Sequence, residues 1–372
     1  MKKYTGKQII KAGEQLIDTN ISGSEFEAAM DVLSYWRFSH EYALEEALKM
    51  LQKTTLKFDK SAIFAKRLKR HPSIVNKLNR FKKMKLKNMQ DIGGCRAIVS
   101  STKRVTQIVR ELRKRPAFKT LLGKIKFKDY IENPKDDGYR GYHLIGQFDG
   151  GDGDKKSIEI QLRTRLQHDW ATALEIVDLF TGQALKSNQG NKDWKSFFKA
   201  ISEQFALIES IHLFDLSRSN KCAEYVEKMR ASRHTADSCI TVQKLSDKLK
   251  VVKRFEAFAQ SLNIINNRLE EESFDGYVLV EVDTSINTVT STLFDRKNNK
   301  EAEERYIQAE KKAAGKVGVV VALVSASAVG GIKEAYPNYF ADSTDFLKHL
   351  LFINSVDVAE KKPWWFHLLT QA

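Results

Sequence analysis

The sequence lacks the features that would place this protein outside the cell or in a membrane. Its three cysteines, Cys95, Cys222 and Cys239, lie far apart, which excludes a disulfide framework and the paired spacing of a zinc site. The N-terminus has no apolar core of the kind found in a signal peptide. An uncharged run at 317–332 has 16 residues, which is short for a membrane span. We therefore expect a cytoplasmic protein with no membrane partner.

Acidic residues are scarce in one long part of the chain. Between Lys60 and Lys128 there are 22 lysines and arginines but only two acids, Asp91 and Glu111, so this segment carries about +20 of formal charge in a chain of net +15. Such a concentration attracts the phosphates of a nucleotide or of a nucleic acid. Solvated helix faces are the alternative explanation, although most surfaces mix charges of both signs.

The 372 residues, 42% of them hydrophobic, are enough for more than one domain. Patterning predicts an N-terminal helical segment at 1–60, a mixed domain at 61–185, a helical connector at 186–272 and a small α/β domain at 273–372. The predicted fold class is therefore α/β (α+β), with a mixed β-sheet flanked by helices and a second small C-terminal α/β domain.

The elements expected in the mixed domain alternate between helices and strands. A helix is predicted at about 63–84, strands at 96–100, 124–130, 142–148 and 157–162, and further helices at 103–113 and 166–179. For the C-terminal domain, the patterns predict strands at 277–282, 288–294 and 317–324 with a charged helix at 300–312.

The strand at 157–163 gives the clearest indication of a site. Because side chains alternate along a strand, Glu159, Gln161 and Arg163 project from one face while isoleucines and a leucine pack on the other. An acid, an amide and a guanidinium in a row suit metal and phosphate binding. An exposed strand with polar residues turned outward has the same pattern.

A second block lies just before this strand. The same rule places Lys126, Lys128 and Tyr130 on one face, where an anion would relieve the repulsion between the two ammonium groups. After a loop, Tyr139 could stack on a base or simply close a turn. His143 could carry a proton or could be structural.

Two acids at the ends of different elements, Asp91 and Glu159, could converge on one Mg²⁺. Magnesium typically takes one or two carboxylates together with substrate phosphates. A metal that bridges phosphate oxygens among lysines and arginines is the common arrangement for displacement at phosphorus.

Residues 67–175 resemble the synthetase domain of RelA/SpoT-type alarmone enzymes, which has a nucleotidyltransferase-like fold. The blocks that carry the resemblance are Arg67-Leu68-Lys69 with Ser73 and Lys77, Asp91-Ile92-Gly93-Gly94-Cys95-Arg96, Lys128-Asp129-Tyr130-Ile131, Asn133-Pro134-Lys135, Gly138-Tyr139 with His143, and Glu159-Ile160-Gln161-Leu162-Arg163-Thr164. The first of these is similar to the family's basic helix that holds the phosphates of ATP.

The resemblance implies transfer of pyrophosphate from ATP to a ribose 3′-hydroxyl, with Mg²⁺ and release of AMP. It implies that Asp91 and Glu159 bind the metal and are catalytic. The residues that would hold ATP phosphates are Arg67, Lys69, Ser73, Lys77, Arg96 and Lys128. Those that would bind the acceptor are Lys135, Tyr139, His143, Gln161 and Arg163.

The loop at 137–143 resembles the family's acceptor loop. It departs from the family pattern at Asp137 and at Arg140-Gly141-Tyr142. A guanine nucleotide, GDP or GTP, is one acceptor that the resemblance implies, and the 3′ end of tRNA, the target of toxic relatives, is the other. A third interpretation is a regulator that binds a nucleotide or RNA without catalysis. Binding RNA alone, however, requires neither Asp91 nor Glu159.

The C-terminal domain also has a recognisable element, Tyr336-Pro337-Asn338-Tyr339. It resembles the Tyr-x-x-Tyr element of fused toxin–antitoxin relatives of the CapRel type, which act in phage defence. This resemblance implies autoinhibition through Tyr336 and Tyr339, with a protein trigger that acts on the C-terminal domain. Tyrosines that anchor a loop on a core would look the same.

Overall fold

The computed structural model describes residues 3–120, 122–151, 153–181, 185, 190–256, 276–283, 288–313, 316, 319–325 and 344–358. The chain begins with three helices, as predicted: α1 (Gly6–Gln15), α2 (Gly23–Phe38) and α3 (Glu41–Thr55). Thr5 and Ser22 start the first two through capping boxes, in which each side chain bonds a backbone N–H three residues on.

A five-stranded mixed sheet forms the centre of the fold and confirms the predicted fold class. Its strands are β1 (Ile63–Leu68), β2 (Gly93–Val99), β3 (Lys126–Asp129), β4 (Tyr142–Asp149) and β5 (Lys155–Thr164). Their order is β1-β2-β5-β4-β3, and the central pair β2–β5 is parallel while its neighbours are antiparallel. In the chain, α4 (His71–Arg80) and α5 (Thr102–Arg113) lie between these strands, and α6 (Arg165–Thr181) follows β5.

Strand alternation assigns the two faces of this sheet. Ile158, Ile160 and Leu162 are fully buried with side chains of α3 and α5 in one core cluster. The alternate residues of β5 are on the other face, which is free of α3 and α5. The polar row predicted for β5 therefore lies where a ligand can reach it.

The prediction of one helix over about 63–84 is wrong. Residues 63–68 form β1, which pairs antiparallel with β2 and buries Phe64 and Ala65. The helix α4 begins only at His71–Pro72, with the proline in its first turn. The residue before a proline avoids helical geometry and proline favours a helix start, so Pro72 marked this boundary in the sequence.

The helices that follow the sheet pack as a second layer: α7 (Lys192–Ser210), α8 (Ser219–Arg230) and α9 (Arg233–Lys248). A stripe of aromatic side chains on α7, which includes Trp194 and Phe198, is buried against α6. A C-terminal helix, α11 (Thr344–Ser355), inserts Phe346, Leu350 and Ile353 into the same core cluster. This last segment thus packs on the helical connector.

A small antiparallel sheet lies in the C-terminal part, as predicted. Its order is β7 (Thr288–Asp295), β6 (Gly276–Asp283), β8 (Val319–Ser325), and α10 (Asn299–Ala313) packs against it. The residues Tyr336 and Tyr339 lie outside the described residues. Among the described residues, no helix combines the length and apolar character that a bilayer span requires.

Candidate active site

A pocket of about 570 Å³ opens over the polar face of the central sheet. Nearly all of the residues predicted for the site line it: Arg67, Lys69, Ser73, Lys77, Asp91, Arg96, Lys135, Tyr139, His143, Glu159, Gln161 and Arg163. The exception is Lys128, which is exposed on β3 opposite His143 and lines a neighbouring groove instead. The fold therefore brings together residues that are up to 96 positions apart, from Arg67 to Arg163.

The polar row on β5 is a continuous hydrogen-bond chain. The guanidinium of Arg163 donates to Oε1 of Gln161 at 2.8 Å. The amide of Gln161 then donates to Oε2 of Glu159 at 2.6 Å. This confirms that the three side chains share a face, and it fixes the orientation of the carboxylate.

The other oxygen of Glu159 faces His143 on the neighbouring strand. Nδ1 of His143 lies 3.0 Å from Oε1 of Glu159, and its Nε2 lies 2.6 Å from the hydroxyl of Tyr139. Burial raises the pKa of Tyr139, so its hydroxyl stays protonated. Because an ionised carboxylate can only accept, the proton between His143 and Glu159 is on Nδ1 of the imidazole, which donates it to the carboxylate.

These contacts keep Glu159 ionised. Burial alone would raise the pKa of Glu159, but the hydrogen bond and charge of His143, the Gln161 amide and the charge of Lys69 hold it well below the ordinary value. A carboxylate with so low a pKa is a weak proton acceptor, because general bases work best with a pKa near the operating pH. It is well suited to orient a hydroxyl or to bind a cation.

Asp91, which lies just before β2, is held by two lysines. Its carboxylate oxygens accept from Nζ of Lys69 at 2.9 Å and from Nζ of Lys77 at 2.8 Å. Burial would raise the pKa of Asp91, and the two ammonium groups lower it below 3.8. The α4 helix thus places Lys77, with Ser73 one turn before it, beside the acid that starts β2.

The two acids suit a magnesium ion only when other oxygens complete its coordination. No cluster of three or more histidine, cysteine or acidic side chains in the described ranges could hold a metal. However, Glu159 is the cross-strand partner of Gly94, three residues after Asp91, and Lys69 interacts with both carboxylates. Two carboxylates with open space between them and cations nearby fit an ion that also takes phosphate oxygens.

Three guanidinium side chains, those of Arg67, Arg96 and Arg163, line the same pocket. Burial, together with the nearby charges of Arg163 and Arg67, lowers the pKa of Arg96 from 12.5 to about 9. Arg67, which was expected on a basic helix, lies on β1 directly across from Gly94 of β2. Phosphate oxygens bound here would reduce the repulsion between these cations.

Lys135 lies between two aromatic rings. Its ammonium is 4.7 Å from the ring centroid of Tyr130 and 4.6 Å from that of Tyr139. Burial lowers the pKa of Lys135. A base that stacks on this face of Tyr139 would replace the ammonium and free it to reach an anion. Tyr130, which was expected on the same strand face as Lys128 but was not among the predicted site residues, lines the pocket as well.

Comparison with known proteins identifies the part of the chain that contains this pocket. Residues 66–176 match the family model described as a region found in RelA / SpoT proteins. Those residues form a RelA/SpoT region.

Individual relatives agree with this assignment. The chain is 35% identical over 115 residues to the GTP pyrophosphokinase YwaC of Bacillus subtilis (strain 168), and the match covers 28% of this chain and 52% of that protein. The chain thus spans about half the length of this curated relative. The RelA/SpoT region is the part of the fold in which the resemblance lies.

The solved structures to which part of this chain is similar include two bacterial proteins. One is small alarmone synthetase 1 from Bacillus subtilis bound to pppGpp, at 23% identity and a TM-score of 0.40, covering 47% of this chain and 93% of that one. The other is a GTP pyrophosphokinase family protein from Streptococcus pneumoniae, at 24% identity and a TM-score of 0.40, covering 55% and 95%. The assignment rests on the matched sequence of residues 66–176.

The loop at 137–143, where the acceptor was expected to bind, is anchored by a helix outside the RelA/SpoT region. The hydroxyl of Ser202 on α7 donates to the carbonyl of Gly138, and Nε of Arg140 donates to that hydroxyl at 3.3 Å. Gly138 has φ +93°, and a Cβ there would lie 3.0 Å from atoms of Lys199 and Ser202. Only glycine fits this approach without strain.

Sequence reasoning missed Ser202 and treated Arg140 only as a departure from the family pattern. Arg140 also donates to the carbonyl of Ile131 at 3.0 Å, so it ties both ends of the loop together. A basic residue between two glycines in the loop was visible in the sequence. The partner on α7, more than 60 positions away, was not.

Proposed function

We propose that this protein transfers pyrophosphate from ATP to a ribose 3′-hydroxyl and releases AMP. The observation that carries the proposal is that Asp91 and Glu159, in a matched RelA/SpoT region, share one pocket with the cations of α4, β1 and β2. The 35% identity to a protein named GTP pyrophosphokinase supports a guanine nucleotide as the acceptor.

The phosphates of ATP would lie against the cationic wall. Lys69 and Lys77 would exchange Asp91 for phosphate oxygens, and Arg96 would contribute its guanidinium. Because these cations are partly buried, their attraction for developing charge at the transferred phosphorus is stronger than it would be in water. Lys128 would assist only from the rim of the pocket.

A bound Mg²⁺ would supply Lewis-acid stabilisation of the charge at the reacting phosphorus. Asp91 and Glu159 are the residues that would hold it. Glu159 would also accept a hydrogen bond from the attacking 3′-hydroxyl and so orient its oxygen toward phosphorus. Its low pKa favours this orienting role over full proton abstraction.

The acceptor would bind on the opposite side of Glu159. Its base would stack on Tyr139 in place of Lys135, and the released ammonium would meet an acceptor phosphate. His143 would keep Tyr139 and Glu159 at fixed positions through its two ring nitrogens. Gln161 and Arg163 would complete the wall beside the base.

The test supplies labelled ATP and Mg²⁺ with GDP, GTP, ATP or tRNA in separate reactions. We expect label on one acceptor together with AMP, and a loss of about 10²-fold in Glu159→Gln, because the attacking hydroxyl loses its orienting carboxylate. Glu111→Gln, at a half-buried acid outside the pocket, serves as the matched control. If no acceptor gains label, or if Glu159→Gln transfers label as well as the control does, the proposal fails.

The tRNA 3′ end is the second candidate acceptor. The basic charge around the pocket favours it, since Lys60 to Lys128 carries about +20 and a single nucleotide neutralises only part of that. Label on tRNA and none on GDP or GTP would establish it. Tight ATP binding without AMP release would instead indicate a nucleotide-binding regulator.

We also propose that the C-terminal part, with α10, restrains the site until a protein trigger releases it, as a phage-defence role would require. Arg37 of α2 forms a buried ion pair with Glu310 of α10 at 2.5 Å and donates to the hydroxyl of Tyr306 at 2.6 Å. Glu310 also accepts from the backbone N–H of His71 at 3.5 Å.

This contact reaches the phosphate-binding helix directly. Arg70 gives α4 no side-chain cap, so the carboxylate of Glu310 supplies negative charge at the start of the helix that carries Lys77. Loss of that contact would loosen the end of α4 and alter how Lys77 and Asp91 meet.

Removing residues 271–372 tests the restraint, and activity or toxicity is expected to rise. That truncation also deletes α11, whose Phe346 and Leu350 are buried in the helical core. Glu310→Gln is therefore the sharper variant, because it removes the negative charge at the start of α4 and leaves α11 in place. Unchanged activity in both variants would count against restraint.

A further inference from the structure

A second groove, of about 860 Å³, lies between α5 and the edge strand β3. Its walls include Arg110 and Arg113 of α5, Phe127 and Lys128 of β3, and Tyr142 of β4. This volume is within the range of pockets that hold small ligands. The groove is separate from the candidate active site, but Tyr130 lines both of them.

The floor of the groove is a layer of aromatic and guanidinium groups. The rings of Phe127 and Tyr142 are stacked, with centroids 5.7 Å apart and planes at 5°. The guanidinium carbon of Arg113 lies 4.9 Å from the Phe127 centroid, and 44% of Phe127 is exposed. Aromatic rings and guanidinium planes that remain accessible are surfaces on which nucleobases stack.

The positive charge around the groove favours the binding of an anion. Residues 102–128 contain ten lysines and arginines and one acid, Glu111, which bonds Lys114. Arg110, Arg113 and Lys128 form no salt bridge with any residue in the described ranges. Of the two acids at the rim, Asp129 already accepts from the backbone N–H groups of Ile131 and Glu132, and Glu132 is exposed.

We propose that this groove binds a nucleotide unit, with its base on the Phe127–Arg113 layer and its phosphate on Arg110 or Lys128. An inorganic anion would not contact the exposed ring of Phe127. An apolar ligand would leave the cations of the groove without a counterion. The unit can come from a free mononucleotide, or from a single-stranded RNA whose 3′-terminal nucleotide occupies the candidate active site. The second source rests on the proposed function, and the binding itself does not.

The test is binding of labelled probes to the full chain. A single-stranded RNA oligonucleotide with a free 3′-hydroxyl is measured by fluorescence anisotropy, and GDP is measured by calorimetry, which counts sites. Phe127→Leu and Arg113→Gln should each weaken binding by about tenfold, as the loss of one stacked base would. Arg113→Lys retains the charge and should preserve the salt dependence of binding while losing most of the stacking contribution.

Lys114→Gln is the matched control, since it removes the same charge from the next residue, which pairs with Glu111 outside the groove. It should change affinity by less than about twofold, as expected for an exposed pair. If Phe127→Leu and Arg113→Gln bind RNA more weakly, the nucleotide unit in the groove comes from RNA. If they lose one GDP site and bind RNA as the wild type does, the unit is a free nucleotide. Wild-type affinity of Phe127→Leu and Arg113→Gln for both probes overturns the proposal. If the wild type transfers no label but the groove variants still bind the probes more weakly than it does, only the proposed function is refuted.

Discussion

Replacing Arg96 by methionine should separate stability from ligand binding in this pocket. The pKa of Arg96 is lowered from 12.5 to about 9 by burial and by Arg163 and Arg67, so the charged side chain opposes folding at every pH below about 9. At about 1.36 kcal/mol per pKa unit, the upper bound is about 5 kcal/mol. Because Arg96 is only partly buried, solvent screening reduces this to about 1–2 kcal/mol.

Arg96→Met is therefore expected to leave the free energy of unfolding unchanged or to raise it by up to about 2 kcal/mol. The same change removes a charged hydrogen-bond donor to phosphate, worth about 1.5–3 kcal/mol, so ATP should bind about 10- to 150-fold more weakly.

Urea unfolding and thermal shift, each with and without ATP and Mg²⁺, measure both effects. Arg104→Met on α5, whose guanidinium bonds Gln107 outside the pocket, is the control and should retain the stabilisation by ATP. The reasoning would be refuted if Arg96→Met lowered the free energy of unfolding of the ligand-free protein by more than about 1 kcal/mol while ATP still stabilised it as it does the wild type.

Three further predictions concern the supports of the site. Ser202→Ala should raise KM for the acceptor several-fold with little change in KM for ATP, because it frees the acceptor loop alone; equal effects on both would contradict this. Asp91 and Glu159 have lowered pKa values, so the stability they contribute is present above about pH 4.5 and is lost as the pH falls below it. Urea midpoints against pH should fall less steeply below that pH in Asp91→Asn, and an unchanged slope would be inconsistent with the Asp91 contacts. Arg37→Met should cost about 3–5 kcal/mol of unfolding free energy by leaving Glu310 buried without its partner. Adding Glu310→Gln should restore part of that loss, whereas additive losses would argue against a coupled pair.

Local patterns in the sequence were sufficient to locate the pocket. Alternation along a strand depends only on backbone geometry, so it placed Glu159, Gln161 and Arg163 on one face before any partner strand was known. The scarcity of acids around Asp91 likewise marked where phosphates would be attracted. Helices with apolar stripes, such as α7, were also predictable because their periodicity is intrinsic to the chain.

What local patterns could not determine was which distant residues would meet. Residues 63–68 became a strand because β2 offered them a pairing edge, although their neighbours favoured a helix. Lys128 has the right chemistry but lies outside the pocket, since β3 is at the edge of the sheet.

The support of the acceptor loop by Ser202 and of α4 by Glu310 likewise depends on helices far along the chain. The sequence by itself determined the chemistry of the site, because the character of a side chain is local. The tertiary structure alone decided the partners of each group, because those contacts depend on the packing of the whole chain.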